Sequence, residues 1–235
     1  MEKEKKLALI GNIIFAVLIM VSAVIFMQYG LVNPPSKYIS KPIASGLFVL
    51  CGAFNLLLVY KFFSTEKNWK AIILVVGLFF AMAGDIVLAY NFVIGAGLFA
   101  IGHIFYFIYF SVLYRFTWVD LIIILAVMAF SFTIIFTYKG FEWKGMKIVV
   151  LAYAFIISIM LGKSIANLIV HRNLPNLISG IGAFLFFFSD MMLLFYVFAG
   201  SNLTFDLLCI YTYYPAEFLL ALSVLLQAKS YNERV

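Results

Sequence analysis

Two carboxylates and an imidazole lie where an ionising side chain is costly. Asp85 ends the stretch Phe79-Phe80-Ala81-Met82-Ala83-Gly84-Asp85, His103 sits in Gly102-His103-Ile104-Phe105-Tyr106, and Asp190 closes Gly182-Ala183-Phe184-Leu185-Phe186-Phe187-Phe188-Ser189-Asp190. Each stretch belongs to an apolar run long enough to cross a bilayer, and an ionisable group there marks a functional site by default. Two carboxyl groups sharing a desolvated pocket titrate apart, so one can act as an acid while the other stays ionised. An acid and a base in one pocket suit a hydrolysis in which a proton is delivered, charge develops on carbon, and water loses a proton as it adds.

Other catalytic devices fit less well. The histidines are His103 and His171, the latter beside Arg172 in a loop, which disfavours a three-histidine zinc site. An Asp, Asp, His metal site with water in the fourth position stays open. Ser189 precedes Asp190, but no Gly-x-Ser-x-Gly elbow surrounds it. Cys51 and Cys209 both fall in apolar runs and offer neither a disulfide framework nor a thiolate cluster.

The elements that must position these groups are membrane helices. Of 235 residues 66% are hydrophobic and 11% charged, far from the near-even apolar share of a soluble domain. The net charge of +6 comes from lysines between apolar runs, where they orient a membrane protein, and not from a basic stripe, so nucleic acid is set aside as a partner. Leu7 to Leu31 is too long for a signal-peptide core and reads as the first membrane helix. Eight spans are expected, at about 7–31, 43–63, 71–92, 95–116, 119–138, 146–169, 175–198 and 205–228. Asn33-Pro34-Pro35-Ser36 breaks the chain after the first, Pro42 and Pro175 suit the first turns of the second and seventh, and Asp206 suits the start of the eighth. The fold is therefore all-α and integral to the membrane, one domain over residues 1–235, with loops too short for a soluble domain. The echo between the Asp85 and Asp190 stretches suggests two parallel four-helix repeats. Lys and Arg number 11 on the side of the termini and 5 on the other, which places both termini in the cytoplasm.

Those limits set depths, at about 1.5 Å per helical residue. Asp85, His103 and Asp190 fall roughly 10–12 Å below the outer face, a common layer. Tyr213 and Tyr214 come at a similar level, Glu217 one turn deeper, and Lys41 at the rim. Tyr106 is one turn after His103 on the same helical face. Pro215 frees the carbonyl of Tyr211, a feature membranes tolerate where helices line a cavity. Lys163, within two turns of the inner end of its helix, is expected to snorkel outward.

Taken together, Lys41-Pro42, Gly84-Asp85, Gly102-His103 with Tyr106, and Ser189-Asp190, spread over eight expected spans, resemble the YhhN-like lysoplasmalogenase family. The resemblance covers most of the chain. It implies a hydrolase of the vinyl ether bond of lysoplasmalogens, a lysophospholipid substrate, that releases a fatty aldehyde and glycerophosphocholine or glycerophosphoethanolamine. No metal or organic cofactor is required for that reaction. One of Asp85 and Asp190 would be the acid and the other the base and cation stabiliser, and His103 would orient a carboxylate or relay a proton. Tyr106, Tyr213 and Tyr214 would position the substrate, with Glu217 as a pocket wall, and Lys41 would meet the lipid phosphate. The family often carries a glutamine near the place of Glu217, so an acid there is a third proton-active group. Two other readings share these features: a proton-coupled carrier with buried acids, and a hydrolase of a different lysolipid or ether lipid.

Overall fold

Each of the eight apolar runs becomes one helix, because a backbone in hydrocarbon must satisfy its own N–H and C=O groups. The computed structural model describes residues 2–32, 37–63 and 68–232, with side chains over 6–27, 41–63 and 68–230. The helices are α1 (Glu2–Val32), α2 (Lys37–Phe62), α3 (Trp69–Leu88), α4 (Phe92–Leu113), α5 (Trp118–Thr137), α6 (Lys147–Val170), α7 (Leu174–Phe198) and α8 (Leu203–Asn232). All eight are long and apolar enough to span a membrane, and no strand occurs among the described residues. The break expected at Asn33-Pro34-Pro35-Ser36 lies outside the described residues.

Boundaries differ from expectation at two places that matter for the site. α3 stops at Leu88, four residues early, because Asn91 turns extended and its side chain accepts the Ile94 N–H to cap α4. α2 starts at Lys37, so Pro42 stands inside the helix and not in its first turn. Pro175 does occupy the first turn of α7, behind the Asn173 cap, and Asp206 the first turn of α8.

Contacts between helices trace a closed ring. α2 packs on α3, α3 on α4, α4 on α6, α6 on α7, α7 on α8, and α8 back on α2. α1 lies outside the ring against α2 and α8, and α5 outside against α6. Accordingly α1 and α5 bury 22% of their apolar windows, against 39–50% for the other six. The pattern repeats between the halves: exchanging α1–α4 with α5–α8 turns the α2·α8 contact into α6·α4. The contacts of α1 and α3 with α8 have no counterpart among the described residues.

Lys163 does not snorkel. Its side chain is fully buried, and its Nζ lies 2.7 Å from Asp120 Oδ1 across the α5·α6 interface. Asp120 reaches there because it is the N3 residue of a capping box, its Oδ2 accepting the backbone N–H and hydroxyl of Thr117. A methylene stem pointing into the bundle has no water to reach, so the ammonium pairs with the carboxylate fixed by the cap. Gly162, next to Lys163, allows this approach, since a Cβ there would lie 2.6 Å from Ile124 Cα.

Breaking one partner of a buried pair leaves an uncompensated charge, a cost of about 3–5 kcal/mol. Lys163→Met should therefore lower the melting temperature in detergent, and adding Asp120→Asn to it should recover much of the loss. A double variant as unstable as the single one would show that the pair contributes through packing alone.

Candidate functional site

The first cluster forms around Asp85, three residues before the end of α3. Lys41 of α2 brings its Nζ to 2.7 Å from Asp85 Oδ1, with the two side chains 18% and 7% exposed. Ser45, one turn further along α2, donates to Oδ2, and the Tyr214 hydroxyl of α8 donates to the same oxygen at 3.1 Å. Lys41 and Ser45 share one face of α2 by their spacing of four. Asp85 is thus the counter-ion of Lys41, held by three donors from two helices.

A second cluster forms around Asp190 of α7. The Tyr153 hydroxyl of α6 donates to Asp190 Oδ2 at 2.6 Å, and His103 Nε2 of α4 lies 3.1 Å from that oxygen and 2.9 Å from the Tyr153 hydroxyl. His103 Nδ1 is buried without a hydrogen-bond partner. The two carboxylates are held by corresponding helices: α2 and α8 hold Asp85, while α6 and α4 hold Asp190. The exchange of halves seen in the helix contacts therefore extends to the site.

Glu217 joins α8 to α4 at a third point. It is wholly buried, its Oε2 accepts the Tyr106 hydroxyl at 2.8 Å, and its Oε1 has no partner. Tyr106 is placed by a close approach of α3 and α4, where a Cβ on Gly77 would lie 2.4 Å from the Tyr106 ring. The ring of Phe186 fills the space between these groups, 4.6 Å from His103, 6.2 Å from Tyr106 and 5.3 Å from Tyr213.

A cavity of about 430 Å³ opens at the end of the bundle opposite the termini. Lys41, Asp85, Ser189, Asp190, Tyr196, Asp206, Tyr213 and Tyr214 are among its polar lining, and Phe26, Leu88, Phe99 and Ile210 among its apolar walls. Tyr213 also points its hydroxyl at the Ala81 carbonyl, 3.4 Å away. His103, Tyr106 and Glu217 stand behind the wall and do not line the cavity. The expected common layer is replaced by a slope, because α3 ends early and α4 begins early. Asp85 is about 5 Å from its helix end, Asp190 about 12 Å and His103 about 17 Å. Among the described residues, no three of His, Cys, Asp and Glu form a group that could hold a metal ion.

Ser45, Tyr153 and Asp120 carry no mark in the sequence reading. Ser45 was legible as the residue one turn after Lys41, and Asp120 as the fourth residue of Thr117-x-x-Asp120. Tyr153 offered no signal, because one tyrosine among 14 is told apart only by the carboxylate it meets.

The sequence profile described as the YhhN family matches residues 36–224, four-fifths of the chain. The chain belongs to the YhhN family. The match takes in α2 to α7 and most of α8, so every residue of the three clusters in this YhhN protein lies within it. No curated protein and no solved structure matches the chain.

Replacing Glu217 by Gln keeps an acceptor for Tyr106, whereas Leu leaves that hydroxyl buried and unpaired at a cost of about 1–3 kcal/mol. Glu217→Gln should melt near the wild type and Glu217→Leu clearly below it, measured by thermal unfolding in detergent. Equal loss in both would mean that Glu217 is held by its charge and not by the Tyr106 bond.

Proposed function

We propose that this YhhN protein is a lysoplasmalogenase, cleaving the vinyl ether bond of a lysoplasmalogen to a fatty aldehyde and glycerophosphocholine or glycerophosphoethanolamine. The observation that carries the reading is one cavity lined by both Asp85 and Asp190, with Lys41, the one cation of its lining among the described residues, beside Asp85. An ammonium with three donors binds a phosphate as a point charge while keeping its carboxylate partner. In this reading both termini are cytoplasmic, following the 11 to 5 split of basic residues. The cavity then opens to the outer face, at the depth of a glycerol backbone.

The chemistry follows from the partners of each acid. Asp190, bonded to a phenol and an imidazole, is the acid: it gives its proton to the vinyl carbon remote from the ether oxygen. The new C–H bond uses the π electrons, and positive charge spreads over the other vinyl carbon and the oxygen. Asp85, ionised beside Lys41, stabilises that cation and takes a proton from the water that adds to it. The resulting hemiacetal returns its hydroxyl proton to Asp190 as the C–O bond to glycerol breaks, and Asp85 passes its proton to the departing oxygen. One water is consumed, and both carboxyl groups regain their starting states. His103 and Tyr153 fix the orientation of Asp190, while Tyr213 and Tyr214 border the substrate.

Purified protein in detergent with a chelator present should release aldehyde from a lysoplasmalogen, and Asp85→Asn and Asp190→Asn should each lower kcat/KM by about 10²–10⁴-fold. In D₂O with an immediate aldehyde trap, the product should carry one deuterium on the carbon next to the carbonyl. Activity abolished by chelator would replace the two-carboxylate scheme with a metal centre. Folded protein inert on every ether lysolipid would sink the hydrolase reading in favour of a carrier.

A further inference from the structure

A second, smaller cavity of about 50 Å³ lies between α4, α6 and α7. It meets the main cavity along a shared wall of Leu88, Phe92, Phe99, Asp190 and Leu193. Its own lining adds Ala96, Val149, Val150, Tyr153, Leu194 and Phe198, so beyond Asp190 and Tyr153 it is hydrocarbon. Four of the six helices that line the main cavity, α2, α3, α7 and α8, correspond by exchange of the halves to α6, α7, α3 and α4, which line this one; the other two, α1 and α4, have counterparts in α5 and α8 that do not line it. The two spaces correspond only in part, they meet at Asp190, and they differ in chemistry. In the first, α2 contributes Lys41; in the second, its counterpart α6 contributes Val149, Val150 and Tyr153, none of them a cation.

We infer that the small cavity receives the beginning of the substrate's hydrocarbon chain, so that a lipid lies across the junction with its charged head at Lys41 and its reactive bond at Asp190. This assignment rests on the lysolipid reading above and adds to it the direction in which the substrate lies. The shared Asp190 wall supplies the argument for the occupant. A group held at Lys41 that reaches Asp190 has its next atoms at the mouth of an apolar pocket, where methylenes meet hydrocarbon walls and not the charged lining of the main cavity. The volume admits only a short stretch of chain. The remainder runs past Val149 and Phe92, both partly exposed, into the surrounding lipid. Recognition near the ether oxygen is then specific, and the far end of the tail is read by nothing.

The test uses the full-length protein in detergent and an ether-linked lysophosphoethanolamine carrying a photoreactive diazirine on a carbon near the ether oxygen. After irradiation, mass spectrometry should place the label on the α4 and α6 peptides holding Ala96 and Val150. Label on Met27 and Ile210 of the main cavity, or spread over the outer faces of α1 and α5 as bulk lipid would be, overturns the assignment. Labelling needs no turnover, so aldehyde release by the wild type separately reports whether the hydrolase reading stands. Ala96→Phe, checked for a wild-type melt, should cut labelling at α4 and α6 and lower kcat/KM on a long-chain lysoplasmalogen roughly tenfold, the scale of one or two lost methylene contacts. Unchanged labelling in that variant would also overturn the proposal.

Discussion

An ionisable group inside a hydrocarbon layer has no water to answer it, and the cost of leaving it alone exceeds what any single helix contact returns. The bundle is arranged around that constraint. Asp85 takes Lys41, Ser45 and Tyr214; Asp190 takes Tyr153 and His103; Glu217 takes Tyr106; Asp120 takes Lys163. Each of these partnerships joins different helices. Apolar side chains could pack the same helices in many registers, because lipid is as welcoming to Leu and Phe as the bundle interior is. The polar pairs select one.

The pairs are distributed with a purpose that the two-half arrangement makes visible. Within the ring, one carboxylate of each half is held by one helix from its own half and one from the other: Asp85 by α2 and α8, Asp190 by α6 and α4. Neither half can complete a cluster alone. Asp120 and Lys163 sit apart from this, joining the peripheral α5 to the ring, and their work is confined to holding it there. Divergence between the halves then falls on the lining, where α2 has Lys41 and α6 has Val149, Val150 and Tyr153.

Much of this was legible from residue order. The eight spans follow from apolar length, and Asp85, Asp190 and His103 stand out because their surroundings make them expensive. What could not be read was which partner each would meet, since pairing depends on the azimuth of helices that are distant in the chain. Tyr153 is one such partner. Lys163 is the opposite case: near a helix end, snorkelling and burial look alike until the cap at Thr117 shows that a carboxylate waits inside. The depth of Asp85 was misjudged for a local reason, because Ala89-Tyr90-Asn91 continues the apolar run in composition while Asn91 in fact starts the next helix.

The ring has a seam. α8 closes it against α2, and α8 is also the last ring helix that a ribosome would deliver to the membrane. Until then Asp85 has its α2 partners but lacks Tyr214, and Tyr106 faces no carboxylate. Seven helices can be inserted and packed while the cavity still lacks the wall formed by Ile210, Tyr213 and Tyr214. Chain order therefore sets an order of closure: the bundle is first an open cradle, and the cavity gains its last ring wall when α8 docks.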